Sequence, residues 1–244
     1  MIPSIVGLVL LVLRFSWTFI RDTPLITGTS GFEEEALFSL WKCIQGQPVY
    51  TALNQSPFSG SYFNGLFYLL YGWLSQAAMS WTSLSEAWLP WFTRATTFAL
   101  FLLTCGLLLR LMRSLLRGGG EQASSRGALV FTLFFATSPL LGWWIMTTRP
   151  DIAGLGAEVL LLILIVPFLK QPTTLRLASL AGIALIAWGF RQTNLGVAGC
   201  LVTWLLLHRR WAQAGLFAGL LSAGAAITLL LAGDIYAENT LLAN

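Results

Sequence analysis

Apolar residues in this chain fall in long unbroken runs, not in alternation. The runs cover residues 2–20, 62–78, 95–116, 127–146, 152–169, 177–190, 195–207 and 214–232. Unbroken runs of this length predict helices, because a membrane β-barrel would alternate with a period of two. A membrane-spanning helix needs about 20 residues, with about 17 as a floor. The run 195–207 reaches that length only if residues 189–194 or 208–211 continue its helix, and that continuation is expected. A shorter pattern lies between the first two runs. Leu37, Leu40, Trp41 and Ile44 stand at i, i+3, i+4 and i+7, which makes one apolar helical face, and Glu33, Glu34 and Glu35 open it.

Composition turns these runs into a membrane protein. Only 10% of residues are charged and the mean hydropathy is +0.74, whereas soluble domains carry roughly 25% charge. The expected fold is therefore all-α and polytopic, with residues 1–244 forming a single transmembrane domain. Run 2–20 sits where a signal peptide would. Arg14 interrupts it and no small-x-small cleavage site follows, so it reads as a retained helix. The net charge of +4 is confined to short loops, as a topology signal is, and does not point to nucleic acid. Cys43, Cys105 and Cys200 have no metal or redox spacing and read as packing residues. His208, beside Arg209 and Arg210, reads as a membrane-edge residue.

Positive charge sets sidedness. Arg110, Arg113, Arg117 and Arg126 surround a Gly-rich stretch, Lys170 and Arg176 flank a turn, and Arg209 and Arg210 form a third cluster. All three should be cytoplasmic. Glu33 to Glu35, Asp151, Asp234 and Glu238 then face outward. Every basic loop falls inside only if run 62–78 does not cross. That run mixes six aromatics with Asn64, Gly65, Gly72, Ser75 and Gln76, an interfacial composition. About seven spans follow, with a cytoplasmic N-terminus in a plasma (inner) membrane. Residues 21–93 would form a large first outer loop with two membrane-lying helices. Residues 117–126 would form a flexible cytoplasmic linker, since Gly118–Gly120 lacks the Lys-Ser/Thr of a P-loop.

Three outward features could carry chemistry. Ser30-Gly31-Phe32-Glu33 matches a capping box, which accounts for Glu33 without function. Glu34 and Glu35 remain, at the water–lipid boundary, where a base could meet a lipid-linked substrate. Thr147-Thr148-Arg149-Pro150-Asp151 joins two spans, with Pro150 near the first helical position, Asp151 in the first turn and Arg149 as an exposed cation. Arg191 and Gln192 follow the outer end of another apolar helix. Mid-span, Glu158 must face the bundle interior and find an arginine or backbone partner. A carboxylate beside guanidinium groups suits transfer from a lipid phosphate donor: the carboxylate takes a hydroxyl proton and the cation offsets phosphate charge. Metal is not called for, as Asp-x-Asp is absent.

The order of these motifs resembles a family. Glu34-Glu35-Ala36-Leu37-Phe38, followed by Gly46-Gln47-Pro48-Val49-Tyr50, is similar to the opening of GT-C glycosyltransferases. The branch is the dolichyl-phosphate-mannose protein mannosyltransferase and aminoarabinose transferase group. Thr148-Arg149-Pro150-Asp151 resembles the Thr-Arg-Pro-Asp of bacterial members. Phe190-Arg191-Gln192-Thr193 resembles their Lys-Gln-Thr, and His208-Arg209-Arg210-Trp211 a later membrane-edge pattern. The resemblance implies a seven-helix module with juxtamembrane helices in the first outer loop. It also implies a polyprenyl-phosphate-sugar donor, an acceptor glycan, lipid or protein, and inverting transfer on the outer face. Glu34 matches the family's first acid, as base or acceptor-positioning group, and Glu35 the acid beside it. Arg149, Asp151, Arg191 and Gln192 would bind the phosphate. Glu34 replaces the usual Asp and Arg191 the common Lys. Family members are longer, so the chain is expected to match their N-terminal module and to lack much of the donor-lipid groove. The alternative expectation is a non-catalytic protein of the same fold. A transporter fits less well, since no internal repeat is visible.

Overall fold

A computed structural model describes residues 2–20, 32–52, 54, 60–82, 85–116, 121–138 and 141–242. Helices are α1 (Ile2–Ile20), α2 (Phe32–Ile44), α3 (Gly65–Thr82), α4 (Leu89–Leu115), α5 (Glu121–Ala136), α6 (Asp151–Lys170), α7 (Thr174–Phe190), α8 (Gly196–Leu207), α9 (Trp211–Ala232) and the single turn α10 (Asp234–Ala237). Short 3₁₀ turns at Glu86–Trp88 and Gly142–Ile145 precede α4 and α6.

The fold is that of an α-helical membrane protein. Among the described residues, three helical stretches are long and apolar enough to cross a membrane: Glu86–Leu115, Asp151–Lys170 and Trp211–Ala232. Large apolar side chains point outward from them and their neighbours. Leu230 and Leu231 are more than four-fifths exposed, and Phe131, Phe134 and Leu103 more than half. In water such a surface would aggregate; against acyl chains it is the expected outer face.

α6 lies at the centre, packed on α4 and α7, and α7 packs on α9 and α3. Small residues set this closeness. Ala181, Ala184, Ala198 and Ala214 are buried among Leu161, Leu180, Leu205 and Phe217, and Gly224 of α9 faces the Leu185 side chain so closely that a Cβ would not fit. Glu158 does face inward, and its Oε1 accepts the Val197 N–H at 3.3 Å, in the first turn of α8. A helix N-terminus leaves such N–H groups without intrahelical partners, so this carboxylate both satisfies one and sits at the positive end of a dipole.

Four expectations change. First, α8 ends at Leu207 and begins at Gly196, so the continuation of run 195–207 does not exist. Its 12 residues span about 18 Å, short of a bilayer core of about 30 Å. Residues 192–193 form turns instead, because Arg191 leaves the helix in extended geometry. Second, run 127–146 is not one helix. α5 stops at Ala136, just before Ser138-Pro139, where the residue preceding proline disfavours helix. Third, the expected linker 117–126 is largely helical, since α5 already starts at Glu121; residues 117–120 lie outside the described residues. Fourth, α2 does not rest its apolar face on lipid. Ala36, Leu37 and Leu40 pack against Phe63, Phe67, Tyr68 and Tyr71 at the start of α3. Burying each leucine there contributes about 1.5–3 kcal/mol relative to water.

Candidate functional site

The acids of α2 diverge at once. Glu33 points into the bundle and is fully buried. Arg94, in the second turn of α4 and also fully buried, donates through Nε to Oε1 and through Nη2 to Oε2, both at 2.9 Å. The Thr148 backbone N–H donates to the same Oε1 at 3.0 Å. This two-pronged pairing ties α2, α4 and the segment before α6 into one unit across more than a hundred residues of chain. Ser30, the other half of the proposed capping box, lies outside the described residues. Hydroxyls extend the network: Thr93 Oγ1 meets Thr148 Oγ1 at 2.7 Å, and Thr97 Oγ1 meets the Tyr71 hydroxyl at 2.9 Å.

Glu34, next along the helix, is exposed, and Glu35 is half-buried. Burial raises the Glu35 carboxyl above the ordinary 4.5, and the Glu34 charge beside it raises it further. Glu35 lies close enough to Tyr62 and Tyr68 for its charge to act on both hydroxyls.

The 147–151 segment completes the same end of the bundle. Arg149 is not the exposed cation the sequence suggested; only 5% of it is accessible. Its guanidinium lies over the Phe32 ring at 5.1 Å and the Trp144 ring at 5.2 Å, a cation–π cradle built partly by the first residue of α2. Nε donates to Asp151 Oδ2 at 2.9 Å, and Arg191 Nη1 donates to Asp151 Oδ1. One carboxylate thus stands between two guanidinium groups and leaves a surplus of one positive charge. Arg191, whose side chain is 30% exposed, is the cation of the two that solvent reaches. Gln192 Nε2 donates to the Tyr62 and Thr240 carbonyls, while its Oε1 is buried without a partner.

The segment after α9 closes this end. Asn239 is buried, accepts the Ser61 N–H through Oδ1, and donates through Nδ2 to the Thr51 and Ile235 carbonyls. Sequence reasoning passed over both Asn239 and Arg94. A signal existed for Arg94: a lone arginine near the start of an apolar helix requires an internal acid. Asn239 offered none, since its partners are backbone groups fixed only by the fold.

Beside the site lies an apolar cavity of about 680 Å³ between α3, α7 and α9. Leu69, Ile186 and Leu231 form its wall, and Tyr50, Tyr68 and Tyr236 stand along it. Among the described residues no three His, Cys, Asp or Glu side chains group as metal ligands would. Comparison with family models, curated proteins and solved structures finds no match to this chain.

Proposed function

We propose that this protein transfers a sugar from a polyprenyl-phosphate donor to an acceptor hydroxyl at the outer face of a plasma membrane, with inversion. The reading rests on one observation above the others. α2 meets the Arg149–Asp151–Arg191 cluster at one end of an apolar bundle: Glu33 accepts the Thr148 N–H, Phe32 lies under the Arg149 guanidinium, and Arg191 donates to Asp151. In this reaction the acceptor O–H proton passes to a carboxylate while the oxygen attacks the anomeric carbon. The bond from that carbon to the phosphate oxygen breaks, and the phosphate leaves with the electron pair. Glu35 suits the proton acceptor, because a raised carboxyl pKa brings a base nearer the working range, and Glu34 supplies the charge that helps raise it. The resemblance alone favours Glu34. Arg191 faces the leaving phosphate, Asp151 holds Arg191 and is itself held by Arg149, and Gln192 stands beside Arg191, fixed by the Tyr62 and Thr240 carbonyls. The apolar cavity offers room for part of a polyprenyl chain.

The test is release of radiolabelled sugar from polyprenyl-phosphate sugars by the purified protein. Glu35→Gln should lower the rate by about 10²–10⁴-fold, the usual worth of a positioned base. Unchanged rates in both Glu34→Gln and Glu35→Gln would remove the base. One observation favours a non-catalytic protein of the same fold: Asp151 is saturated by two arginines and Arg149 is buried. That reading expects no release from the wild type.

The transmembrane arrangement we infer is seven crossings with the N-terminus inside. α5, α7 and α8, with 16, 17 and 12 residues, cross with help from flanking segments or local thinning of the bilayer. A cysteine placed at Ser124 should react with an impermeant reagent only from the cytoplasmic side. Labelling from outside would overturn the arrangement.

A further inference from the structure

Charge is unevenly distributed over α6 to α9. Between Glu158 and Asp234 the chain has no acidic residue, yet it carries Lys170, Arg176, Arg191, Arg209 and Arg210. Asp151 answers Arg191. Arg176 donates to the Pro167 and Gln171 carbonyls at 2.9 and 2.8 Å. Arg209 and Arg210, in the turn between α8 and α9, meet no acid of this stretch.

The turn has specific geometry. The Arg210 N–H donates to Leu205 O at 2.8 Å and the Arg209 N–H to Leu206 O at 3.0 Å, the two bonds that close a Schellman motif. Its left-handed position, ordinarily glycine, is held by Arg209 with φ 57°. The Arg210 guanidinium lies over the Trp204 ring at 5.2 Å, with His208 stacked on the same indole. Arg210 Nη1 is shielded from solvent and finds no hydrogen-bond partner among the described residues, and Gln213 Oε1 nearby finds none there either. A shielded cationic N–H without an acceptor is costly, so the surroundings of the folded protein should supply one. Leu207 and Trp211, both largely exposed, bracket the turn at the ends of two apolar helices. That places the arginines at the depth of lipid headgroups, with apolar surface directly below.

We propose that this turn binds the phosphate of an anionic phospholipid. Arg210 Nη1 and the Arg209 guanidinium donate to the phosphate oxygens, and Leu207 and Trp211 contact the acyl chains. With two guanidinium groups and no neighbouring carboxylate, the site favours a headgroup of net negative charge over a zwitterionic one, whose own cation the arginines repel.

Native mass spectrometry of the whole protein, titrated with phosphatidylglycerol, phosphatidylcholine or inorganic phosphate, tests the proposal. Phosphatidylglycerol should bind at about tenfold lower concentration than phosphatidylcholine. Arg210→Gln should weaken it about fivefold, and Arg209→Gln with Arg210→Gln about 25-fold, at about fivefold per arginine. Arg209→Gly separates binding from folding. It relieves the left-handed strain, so its unfolding temperature should be equal to or above that of the wild type, while phosphatidylglycerol binding still weakens. Three outcomes would overturn the proposal: equal binding of the two lipids, wild-type binding by Arg209→Gly and Arg210→Gln, or inorganic phosphate displacing the lipid at matching concentration, which marks a free-anion site.

Discussion

The two ends of the bundle solve the same problem in opposite ways. At the end that holds residues 147–151 cations meet acids of the chain itself: Arg94 with Glu33, Arg149 and Arg191 with Asp151. At the opposite end, the turns from α6 to α7 and from α8 to α9 carry Lys170, Arg176, Arg209 and Arg210 and no acid. The paired charges at the first end are therefore part of the folded structure, whereas Arg209 and Arg210 at the other are answered by no acid of their own stretch. A charge answered internally fixes geometry, which a reaction site needs. A charge left for the membrane fixes depth and orientation instead, and it can be removed without loosening the fold.

Removal of Arg94 should have the largest effect. Arg94→Ala leaves the buried Glu33 carboxylate without its cation, and truncating one partner of a buried pair costs about 3–5 kcal/mol. Denaturant unfolding in a zwitterionic detergent measures it. Replacing both partners, Glu33→Gln with Arg94→Gln, should recover part of the loss, since no lone charge remains. Arg210→Gln at the opposite end should change the same transition by no more than about 0.5 kcal/mol. Equal losses at the two ends would erase the distinction.

Much of this was legible along the chain. The helical class follows from unbroken apolar runs, and the meeting of Glu33–Glu35, Thr147–Asp151 and Arg191 at one end follows from counting charges across turns. What the pattern hid was side-chain direction. Arg149 reads as exposed because it precedes a helix, but Phe32 and Trp144 enclose it, and rings more than a hundred residues apart cannot be paired from one sequence. Helix ends were also obscured. Leu195 to Leu207 is apolar enough to promise a span, yet Arg191 and Gln192 are held by Asp151, Tyr62 and Thr240, and those contacts end α7 and delay α8. Gly154 shows the same limit: the Asn194 side chain stands so close to it that no Cβ would fit, a proximity that only the fold reveals.

The smallest expected effect concerns Glu35, and its sign separates a strained carboxyl from a satisfied one. Burial, and then Glu34, raise its folded pKa above 4.5. As pH rises past about that value, Glu35 ionises in the unfolded chain while the folded protein still holds the proton. The unfolded state then binds fewer protons, so stability falls with rising pH until the folded group also ionises, and the loss is constant beyond that point. Glu35→Gln removes this term. Its unfolding temperature relative to the wild type should therefore climb as pH increases through the weakly acidic range and then level off. Glu34→Gln should reproduce only part of the climb, because burial is the larger cause. Parallel curves for wild type and Glu35→Gln would mean that the carboxyl is unperturbed. The environmental reason for preferring Glu35 to Glu34 as the proton acceptor would then disappear, leaving this end of the bundle with paired charges but no distinguished base.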